Sequence, residues 1–334
     1  PDMTHALIPS ARERKPEAVR GYTGPLMPTD LKSAVLLIVF NRPGTTKAVL
    51  EAIREVKPPR MYIASDGPRP DRRGEEIEVE NVRSLVAEGI DWDCEVKTLF
   101  RKENLGCRLA VSGAISWFFE QEEEGIILED DCLPDRSFFF FCEDLLDRYR
   151  GDKRVMHVAG SCLVKDLPAE QSYFFSKYPA VWGWATWRDA WSDYSLTTNE
   201  FESVFEAFAG QFQTAEEEKY WRKTLKNYFD GGIDTWDYPW AFSIWRCQGL
   251  SIYPTKNLVR NIGFSSGATH TQAWKDYRGL GDAALDSMDS IVHPPVVEIN
   301  QELDRRVFNE SYRQPPKIVI GLKLLQRLVK NSVR

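Results

Sequence analysis

The sequence lacks three features that would each point to a particular class of protein. It has no excess of basic residues, since 43 Lys and Arg stand against 50 Asp and Glu for a net charge of -7, and this argues against a nucleic-acid-binding protein. It has no apolar run near the roughly 18 residues that cross a bilayer. Its first thirty residues are polar and charged rather than signal-like. We therefore expect a cytoplasmic protein with no nucleic-acid partner.

Cysteine and histidine are few and scattered. The six cysteines form no CxxC pair, and no zinc-like spacing joins them to the four histidines, so a zinc or His-based metal site is not expected. A chain of 334 residues that is 43% hydrophobic can bury a large core without disulfides, and we expect reduced thiols. No GxGxxG, GxxxxGK[ST] or DxDxT motif follows a predicted strand, which argues against the common phosphate-binding loops and against a phosphatase.

What the sequence does contain, up to residue 150, is an alternation of strand and helix patterns. Short apolar runs that suit buried strands are AVLLIVF, MYIAS, CEVKTLF and GIIL, and segments with helical spacing of apolar residues lie between them. This alternation predicts an α/β fold with a mainly parallel sheet flanked by helices, Rossmann-like in architecture. In open sheets of this kind, ligands bind beyond the carboxyl ends of the strands.

Three of the predicted strands end in polar or charged residues. Asn41 and Arg42 follow the first strand, Asp66 ends the second, and the acidic run 129–131 ends the fourth. Arginine and aspartate at these places are the charge types expected for contacts to a diphosphate and to a ribose or uracil. All three groups therefore fall where a ligand should lie.

The acidic run needs a physical explanation, because adjacent carboxylates repel one another. Such a run must be solvated, neutralised by basic partners, or occupied by a cation. Oxygen ligands suit Mg²⁺ or Mn²⁺, which proteins often hold with one or two carboxylates plus substrate phosphates. Alternation along an extended chain predicts Glu129 and Asp131 on one side and Asp130 on the other. A solvated turn is the alternative interpretation.

After residue 150 the sequence becomes rich in aromatic residues. Seven of the eleven tryptophans lie between Trp182 and Trp240. Most of them are predicted to form an aromatic core. Tryptophans interleaved with Gly, Asp and Thr also stack on sugar faces, so some of these side chains are candidates for an acceptor site.

The sequence resembles a known family through five segments in a fixed order. VFNRPGTTKAVLEAI, ASDGP, ILEDDCLP, TWDYPW and IYPTKNLVRNIGFSSGATHT resemble the landmarks of nucleotide-sugar glycosyltransferases with the GT-A fold, over about residues 33 to 275. The sequence resembles in particular the branch that contains the Golgi N-acetylglucosaminyltransferase I, together with bacterial glycosyltransferase-like proteins that share the WGWATW segment. The resemblance implies a GT-A-type sheet with an aromatic-rich acceptor half.

The resemblance also implies roles for the residues at the strand ends. Arg42 would contact the diphosphate of a UDP-sugar, and Asp66 would contact its uridine. Glu129 would touch the donor sugar, Asp130 the ribose or the sugar, and Asp131 would hold Mn²⁺ or Mg²⁺.

Two later segments match further parts of the family pattern. Asp237 of TWDYPW matches the catalytic base, and the loop from Asn261 through Gly267 to His270 matches the segment that covers the bound donor. The aromatic neighbours of Asp237 are expected to raise its pKa and make it a better base. Asp234 is the rival candidate for the base, and a helix end is the structural alternative for Asp237.

These observations predict four regions. Residues 1–32 form a leader or linker, 33–150 the nucleotide-sugar-binding half, 151–312 the acceptor and catalytic half of the same domain, and 313–334 a basic amphipathic helix. That last helix could make a peripheral contact with the inner face of the membrane or pack on the core.

Three functions are compared. The first is an inverting, metal-dependent glycosyltransferase of polysaccharide biosynthesis that moves a sugar, GlcNAc by resemblance, from a UDP-sugar to a glycan or lipid-linked acceptor. The second is a non-catalytic carbohydrate-binding protein on the same scaffold, which would need no base. The third is a sugar nucleotidyltransferase, and the NRPGTT segment is a poor match to the Gly-rich, basic loop that such an enzyme would need.

Overall fold

The computed structural model describes residues 30–167, 170–198, 200–263 and 283–313. The strands are β1 (Val35–Val39), β2 (Arg60–Ser65), β3 (Glu95–Phe100), β4 (Glu124–Glu129), β5 (Cys132–Pro134), β6 (Val155–Ala159), β7 (Tyr173–Ser176), β8 (Trp184–Trp187), β9 (Leu250–Pro254) and β10 (Val259–Asn261). The helices are α1 (Pro43–Arg54), α2 (Glu75–Gly89), α3 (Gly106–Phe119), α4 (Arg136–Tyr149), α5 (Arg188–Trp191), α6 (Phe201–Ala209), α7 (Ala215–Phe229), α8 (Asp237–Arg246) and α9 (Gln301–Val307), which a π-helical turn (Phe308–Tyr312) extends.

Eight of the described strands form one sheet in the order β3-β2-β1-β4-β8-β6-β9-β7. Strands β1 to β4 run parallel to one another. Strand β8 is antiparallel to β4 and β6, so β6 runs with β4, as does its parallel neighbour β9, whereas β7 is reversed. The predicted α/β fold class, with a mainly parallel sheet flanked by helices, is confirmed.

The strands form where short apolar runs can be buried on both faces. All five residues of β1 are buried, and residues 126–128 of β4 are buried as well, which is the pattern of strands covered by helices on both sides. Helix α1 begins at Pro43, whose fixed φ suits the first turn of a helix. It buries Val49 and Ile53 on one side. Arg42 therefore lies at the junction of β1 and α1.

The two faces of the sheet carry different cores. One face packs mainly against α1, α2 and α4, and includes the four consecutive phenylalanines 138–141. The other face packs against α3 and the helices α5 to α8, and it contains most of the buried tryptophans. The predicted aromatic-rich second half is thus confirmed, and these tryptophans serve as core.

A two-stranded ribbon was not predicted and matters for the site. Strand β5 begins directly after the acidic run, two residues beyond the end of β4, and it pairs antiparallel with β10, so that Asn261 lies opposite Cys132. Runs of three residues carry too little periodicity to be recognised in a sequence. The ribbon brings residues 130 positions apart to the same corner.

The cysteines, the possible membrane spans and the chain termini were also subjects of prediction. All six cysteines are free thiols. No helix within the four described ranges combines the length and the apolar character that a bilayer span requires. Gly267, His270, residues 1–29 and the basic segment 314–334 lie outside the described residues.

Candidate functional site

The carboxyl ends of β1 and β4 meet in a corner built from one arginine and two aspartates. The guanidinium of Arg42 donates from Nη1 to Oδ2 of Asp131 at 2.9 Å and from Nη2 to Oδ1 of Asp130. Burial alone would lower the pKa of Arg42, but Asp130 and Asp131 outweigh it and raise that pKa. The structure thus neutralises the acidic run with a basic partner, which is one of the possibilities predicted from the sequence.

The two aspartates of this corner differ in their access to solvent. Both oxygens of Asp130 are engaged, because Oδ2 also accepts from the backbone N–H of Phe40 at 3.2 Å. Its side chain is only 3% exposed, against 16% for Asp131. Burial raises the pKa of Asp130 to about 6, although Arg42 opposes this. Asp130 therefore supports Arg42, and its predicted contact to ribose or sugar stays a prediction.

Asp131 is joined to the start of the loop that follows β10. Its backbone carbonyl accepts from the N–H of Ile262 at 2.7 Å, and its Oδ1 lies 3.3 Å from Nδ2 of Asn261. The amide oxygen of Asn261 in turn accepts from the N–H of Gly263 at 2.9 Å. A Cβ at Gly263 would collide with the Asp131 carboxylate and lie 2.7 Å from Nη1 of Arg42. Glycine is required there because the backbone lies directly on the ion pair.

Glu129 faces the aromatic side of the sheet. It follows Ile127 in the strand alternation, and Ile127 belongs to the tryptophan-rich core. Within the described residues its carboxylate accepts no side-chain hydrogen bond. Burial, together with the charges of Asp131 and Asp130, raises the pKa of Glu129 to about 8, and Asp237 adds to this rise. Glu129 and Asp237 are therefore close enough to interact electrostatically.

The start of α3 lies between these acidic groups. Although Cys107 as a whole is exposed, the protein atoms around its sulfur partly exclude water, and this desolvation, followed by the charges of Glu129, Asp237, Asp234 and Asp131, raises the pKa of its thiol to about 12. No sequence motif marked this cysteine. Cys107 lies in the first turn of α3 next to the acidic groups, a position that only the tertiary structure defines.

Asp237 is the first residue of α8 and has two unequal oxygens. Its Oδ1 accepts hydrogen bonds from the hydroxyl of Thr235 and from the backbone N–H of Tyr238, at 3.0 Å for the latter. None of the described residues donates a hydrogen bond to Oδ2. Burial raises the pKa of Asp237, and the hydrogen bonds oppose that rise. Asp237 is thus both a helix end and a half-buried carboxylate with one oxygen available.

The rival Asp234 lies in a different environment. Its side chain is 65% exposed, and its Oδ1 lies 3.2 Å from Nε of Arg108. An exposed ion pair of this type contributes little to stability and leaves the Asp234 carboxylate at the surface. The structure therefore distinguishes the two aspartates that the sequence left as alternatives.

Asp66 directly follows β2, and its side chain contacts the start of α3. Its carboxylate accepts from the N–H groups of Leu105, at 3.0 and 3.1 Å, and of Gly106, at 3.1 Å. Burial raises its pKa, while these N–H groups lower it. In this arrangement Asp66 holds the turn before α3 at the ligand edge of the sheet, and its predicted contact to uridine stays a prediction.

The side chains of the corner show whether it could hold a divalent cation. Among the described residues, no three His, Cys, Asp or Glu side chains converge on one point. Asp131 nevertheless fits a Mg²⁺ or Mn²⁺ site of the kind that uses one protein carboxylate plus substrate phosphates. Its side chain is partly exposed and, within the described part of the chain, only Asn261 and Cys132 contact its Oδ1. Asp131 is the residue that would hold the ion.

A cavity of about 280 Å³ lies at the opposite edge of the sheet. Its lining includes Glu124 at the start of β4, Val155 at the start of β6, and Trp187, and it includes none of the predicted site residues. Several of the charged side chains around it are paired, as in the contact of Arg150 with Glu124 at 2.7 Å. This cavity is therefore separate from the acidic corner.

Comparisons with known proteins give no family. No family model matches the chain, and no curated protein matches it. Solved structures that match part of the fold include HddC from Yersinia pseudotuberculosis, with a TM-score of 0.30 and 10% identity over 48% of this chain and 80% of that chain. TarS from S. aureus matches with a TM-score of 0.29 and 12% identity over 56% of this chain and 53% of that chain.

A further match is the structure of GalNAc-T7 with UDP, GalNAc and Mn²⁺. It has a TM-score of 0.39 and 10% identity over 84% of this chain and 54% of that chain. None of these matches tests the predicted N-acetylglucosaminyltransferase I branch, which stays a prediction. At these values the function has to be argued from the residues of the chain itself.

Proposed function

We propose that this protein is an inverting, metal-dependent glycosyltransferase that moves a sugar from a UDP-sugar to a hydroxyl of a glycan or lipid-linked acceptor. The observation that carries the proposal is the pairing of two acidic groups with different environments at one edge of the sheet. The first is the corner of Arg42, Asp130 and Asp131, and the second is Asp237, whose Oδ2 is available. Glycosyl transfer with inversion needs both an anion-neutralising corner and a base.

Donor binding is assigned to the corner. Arg42 would turn from Asp131 toward the diphosphate, since a guanidinium recognises phosphate oxygens in a bidentate manner. Asp131 would hold Mn²⁺ or Mg²⁺, which when bound neutralises charge on the departing diphosphate. Asp66 and the turn it holds would contact the uridine, and Glu129 would face the donor sugar from the aromatic side.

The transfer itself is assigned to Asp237. Its Oδ2 accepts the proton of the acceptor hydroxyl while that oxygen forms a bond to the anomeric carbon. The bond from the anomeric carbon to the β-phosphate oxygen breaks, and its electron pair leaves with UDP. Attack from the face opposite to the leaving group inverts the anomeric centre. A carboxylate with a raised pKa is the stronger base for this step.

The alternative is a carbohydrate-binding protein on the same scaffold. Such a protein has no use for a half-buried carboxylate whose charge is costly in the folded state. The environment of Asp237 therefore favours an enzyme.

The proposal is tested by a screen of UDP-sugars with Mn²⁺, read out by thermal stabilisation and by release of UDP. The expected result is stabilisation and slow hydrolysis for at least one UDP-sugar, both dependent on the metal. Replacement of Asp131 by Ala should abolish the metal dependence of UDP binding in calorimetry, because the one partly exposed carboxylate of the corner is removed.

The matched control for Asp131→Ala is Asp147→Ala. Asp147 has a side chain that is 76% exposed and pairs with Arg150 on the surface, so its loss should leave UDP binding unchanged. Binding of UDP by Asp131→Ala with the parental affinity and metal dependence would contradict the metal assignment. Absence of any response to UDP-sugars by the parental protein would contradict the proposed function.

Gly263→Ala is expected to weaken binding of UDP with Mn²⁺ by on the order of tenfold. The added Cβ would displace the Asp131 carboxylate or Arg42, and overpacking of this kind typically costs about 1–3 kcal/mol. Calorimetry measures the effect. Gly44→Ala is the control, because nothing lies within 4 Å of a Cβ at that position. Equal affinities for the two variants would rule out this role of the Gly263 backbone.

A further inference from the structure

We propose that Thr235 is the positioning residue of the base: its hydroxyl holds Oδ1 of Asp237, so that Oδ2 is directed to the acceptor. This inference rests on the proposed function, and it extends that function to Thr235, which opens the TWDYPW segment but to which the sequence assigned no role. Thr235 and Asp237 are separated by one residue, so the hydrogen bond between them is local and forms with the first turn of α8.

The hydrogen bonds of Asp237 are distributed unequally between its two oxygens. Oδ1 accepts from the Thr235 hydroxyl and from the N–H of Tyr238. Because Oδ1 has two donors and Oδ2 has none among the described residues, the carboxylate cannot rotate without losing both bonds. The threonine therefore selects which oxygen acts as the base.

Trp236, which lies between Thr235 and Asp237, is held through both its ring and its backbone carbonyl. The ring of Trp236 is buried and stacks on Trp184 at a centroid distance of 5.6 Å and an interplanar angle of 19°. Its carbonyl accepts from the hydroxyl of Tyr194 at 3.0 Å. With Trp236 immobilised, Thr235 and Asp237 are held in a constant relation to one another and to α8.

Thr235 also adjusts the strength of the base. Burial raises the pKa of Asp237, and the hydrogen bond from Thr235 is the largest effect that lowers it. Several titratable groups on the neighbouring elements also face Asp237, and none of them is a cation: Glu129, Cys107, Tyr194, Tyr228, Tyr238 and Tyr312. The nearby Arg108 is paired with Asp234. The Thr235 hydroxyl is thus a main source of stabilisation for the ionised base.

The experiment compares Thr235→Val, which keeps the shape but removes the hydroxyl, with Thr235→Ser, which keeps the hydroxyl. Transfer is measured against pH with the UDP-sugar found in the screen. Loss of a hydrogen bond to the charged form raises the pKa of Asp237, so the acid limb of kcat/KM in Thr235→Val should move up by about one pH unit. Its kcat should fall by about tenfold with an unchanged donor KM, because orientation is lost as well.

Thr235→Ser should restore the parental pH profile and rate, which a purely packing role for the threonine would not require. A Thr235→Val profile that superimposes on the parental one, with a normal rate, would overturn the inference. So would a Ser variant as impaired as the Val variant. Circular dichroism and thermal unfolding check that both variants are folded.

A second measurement separates this inference from the proposed function. The carboxyl carbon of Asp237 is followed by NMR against pH in the parental protein and in Thr235→Val, with Asp237→Asn identifying the signal. A higher pKa in Thr235→Val supports the inference even if no transfer is found. Equal pKa values overturn it even if the protein proves to be a glycosyltransferase.

Discussion

Asp237→Asn is expected to lower the transfer rate by about 10²- to 10⁴-fold, the usual contribution of a general base, while affinity for the UDP-sugar persists. Asparagine keeps the shape of the side chain, and its oxygen can still accept from Thr235 and from the N–H of Tyr238. What it loses is the ability to accept the acceptor's proton. Transfer rate and donor affinity are measured in parallel, so that a loss of catalysis is separated from a loss of binding.

The folding stability of Asp237→Asn should not fall with its transfer rate. The pKa of Asp237 is raised in the folded protein, so the native state binds the proton more tightly than the unfolded chain does. Stability therefore falls as pH rises from the unfolded pKa through the raised folded one. Asparagine carries no such cost, and its melting temperature at neutral pH should equal or exceed the parental value.

Asp234→Asn is the control for the base. Its carboxylate is exposed and paired with Arg108, so its removal should leave the transfer rate nearly unchanged. If Asp234→Asn loses transfer while Asp237→Asn transfers at the parental rate, the base has been assigned to the wrong aspartate.

Lys177→Met is expected to cost about 3–5 kcal/mol of the free energy of unfolding, the usual effect of leaving buried charges without their partner. Lys177 is 1% exposed, and its ammonium lies 3.0 Å from Oε1 of Glu217 and in contact with Asp304. Both carboxylates are also buried. Methionine fills a similar volume but would leave two negative charges in the core without a cation.

The effect should extend beyond one ion pair, because this network joins three parts of the chain. Asp304 of α9 also accepts from the Ser176 hydroxyl at 2.7 Å, and Glu217 of α7 accepts from the N–H of Gln213 at 2.8 Å. The carbonyl of Lys177 accepts from the indole N–H of Trp245 at 2.7 Å, so α8 is attached to the same network. Chemical denaturation measures the loss.

Lys153→Met is the matched control for Lys177→Met. Lys153 pairs with Asp189, but both side chains are about 70% exposed, and exposed pairs contribute little to stability. A Lys177→Met protein as stable as Lys153→Met would show that the buried carboxylates are accommodated without the lysine, for example by protonation.

The first half of the fold could be predicted because its signals are local. Strands β1, β2 and β4 lie in short, mainly apolar runs that are followed by a polar residue, and segments with helical spacing of apolar residues lie between the strands. The prediction placed β1 at 34–40 and the structure has Val35–Val39. In the second half, aromatic residues occur in strands, helices and loops alike, so composition indicated a core but not the reversed strands β7 and β8.

The site was predicted as a set of residue types but not as a set of contacts. The acidic run was expected to hold a cation or a basic partner, and Arg42 was named separately as a phosphate ligand. That Arg42 is itself the partner of Asp130 and Asp131 follows from the adjacency of β1 and β4, which lie 90 residues apart in the chain. Thr235 and Gly263 lie within two of the recognised segments and Cys107 lies in none, but none of the three was given a role, because a single Thr, Gly or Cys carries no chemical signal until its contacts are known.

The sequence by itself determined the α/β class and the edge of the sheet where the polar strand ends collect, and its resemblance to a known family offered Asp237 and Asp234 as candidates for a base. The fold class and the position of this edge depend on apolar periodicity and on the chemistry of single side chains. Both can be recognised from residues that are neighbours in the sequence. Only the tertiary structure decided that Asp237 is half-buried with one available oxygen while Asp234 is exposed and paired with Arg108. Burial and partners set the pKa of a carboxylate, and both are properties of chain segments that meet only in the fold.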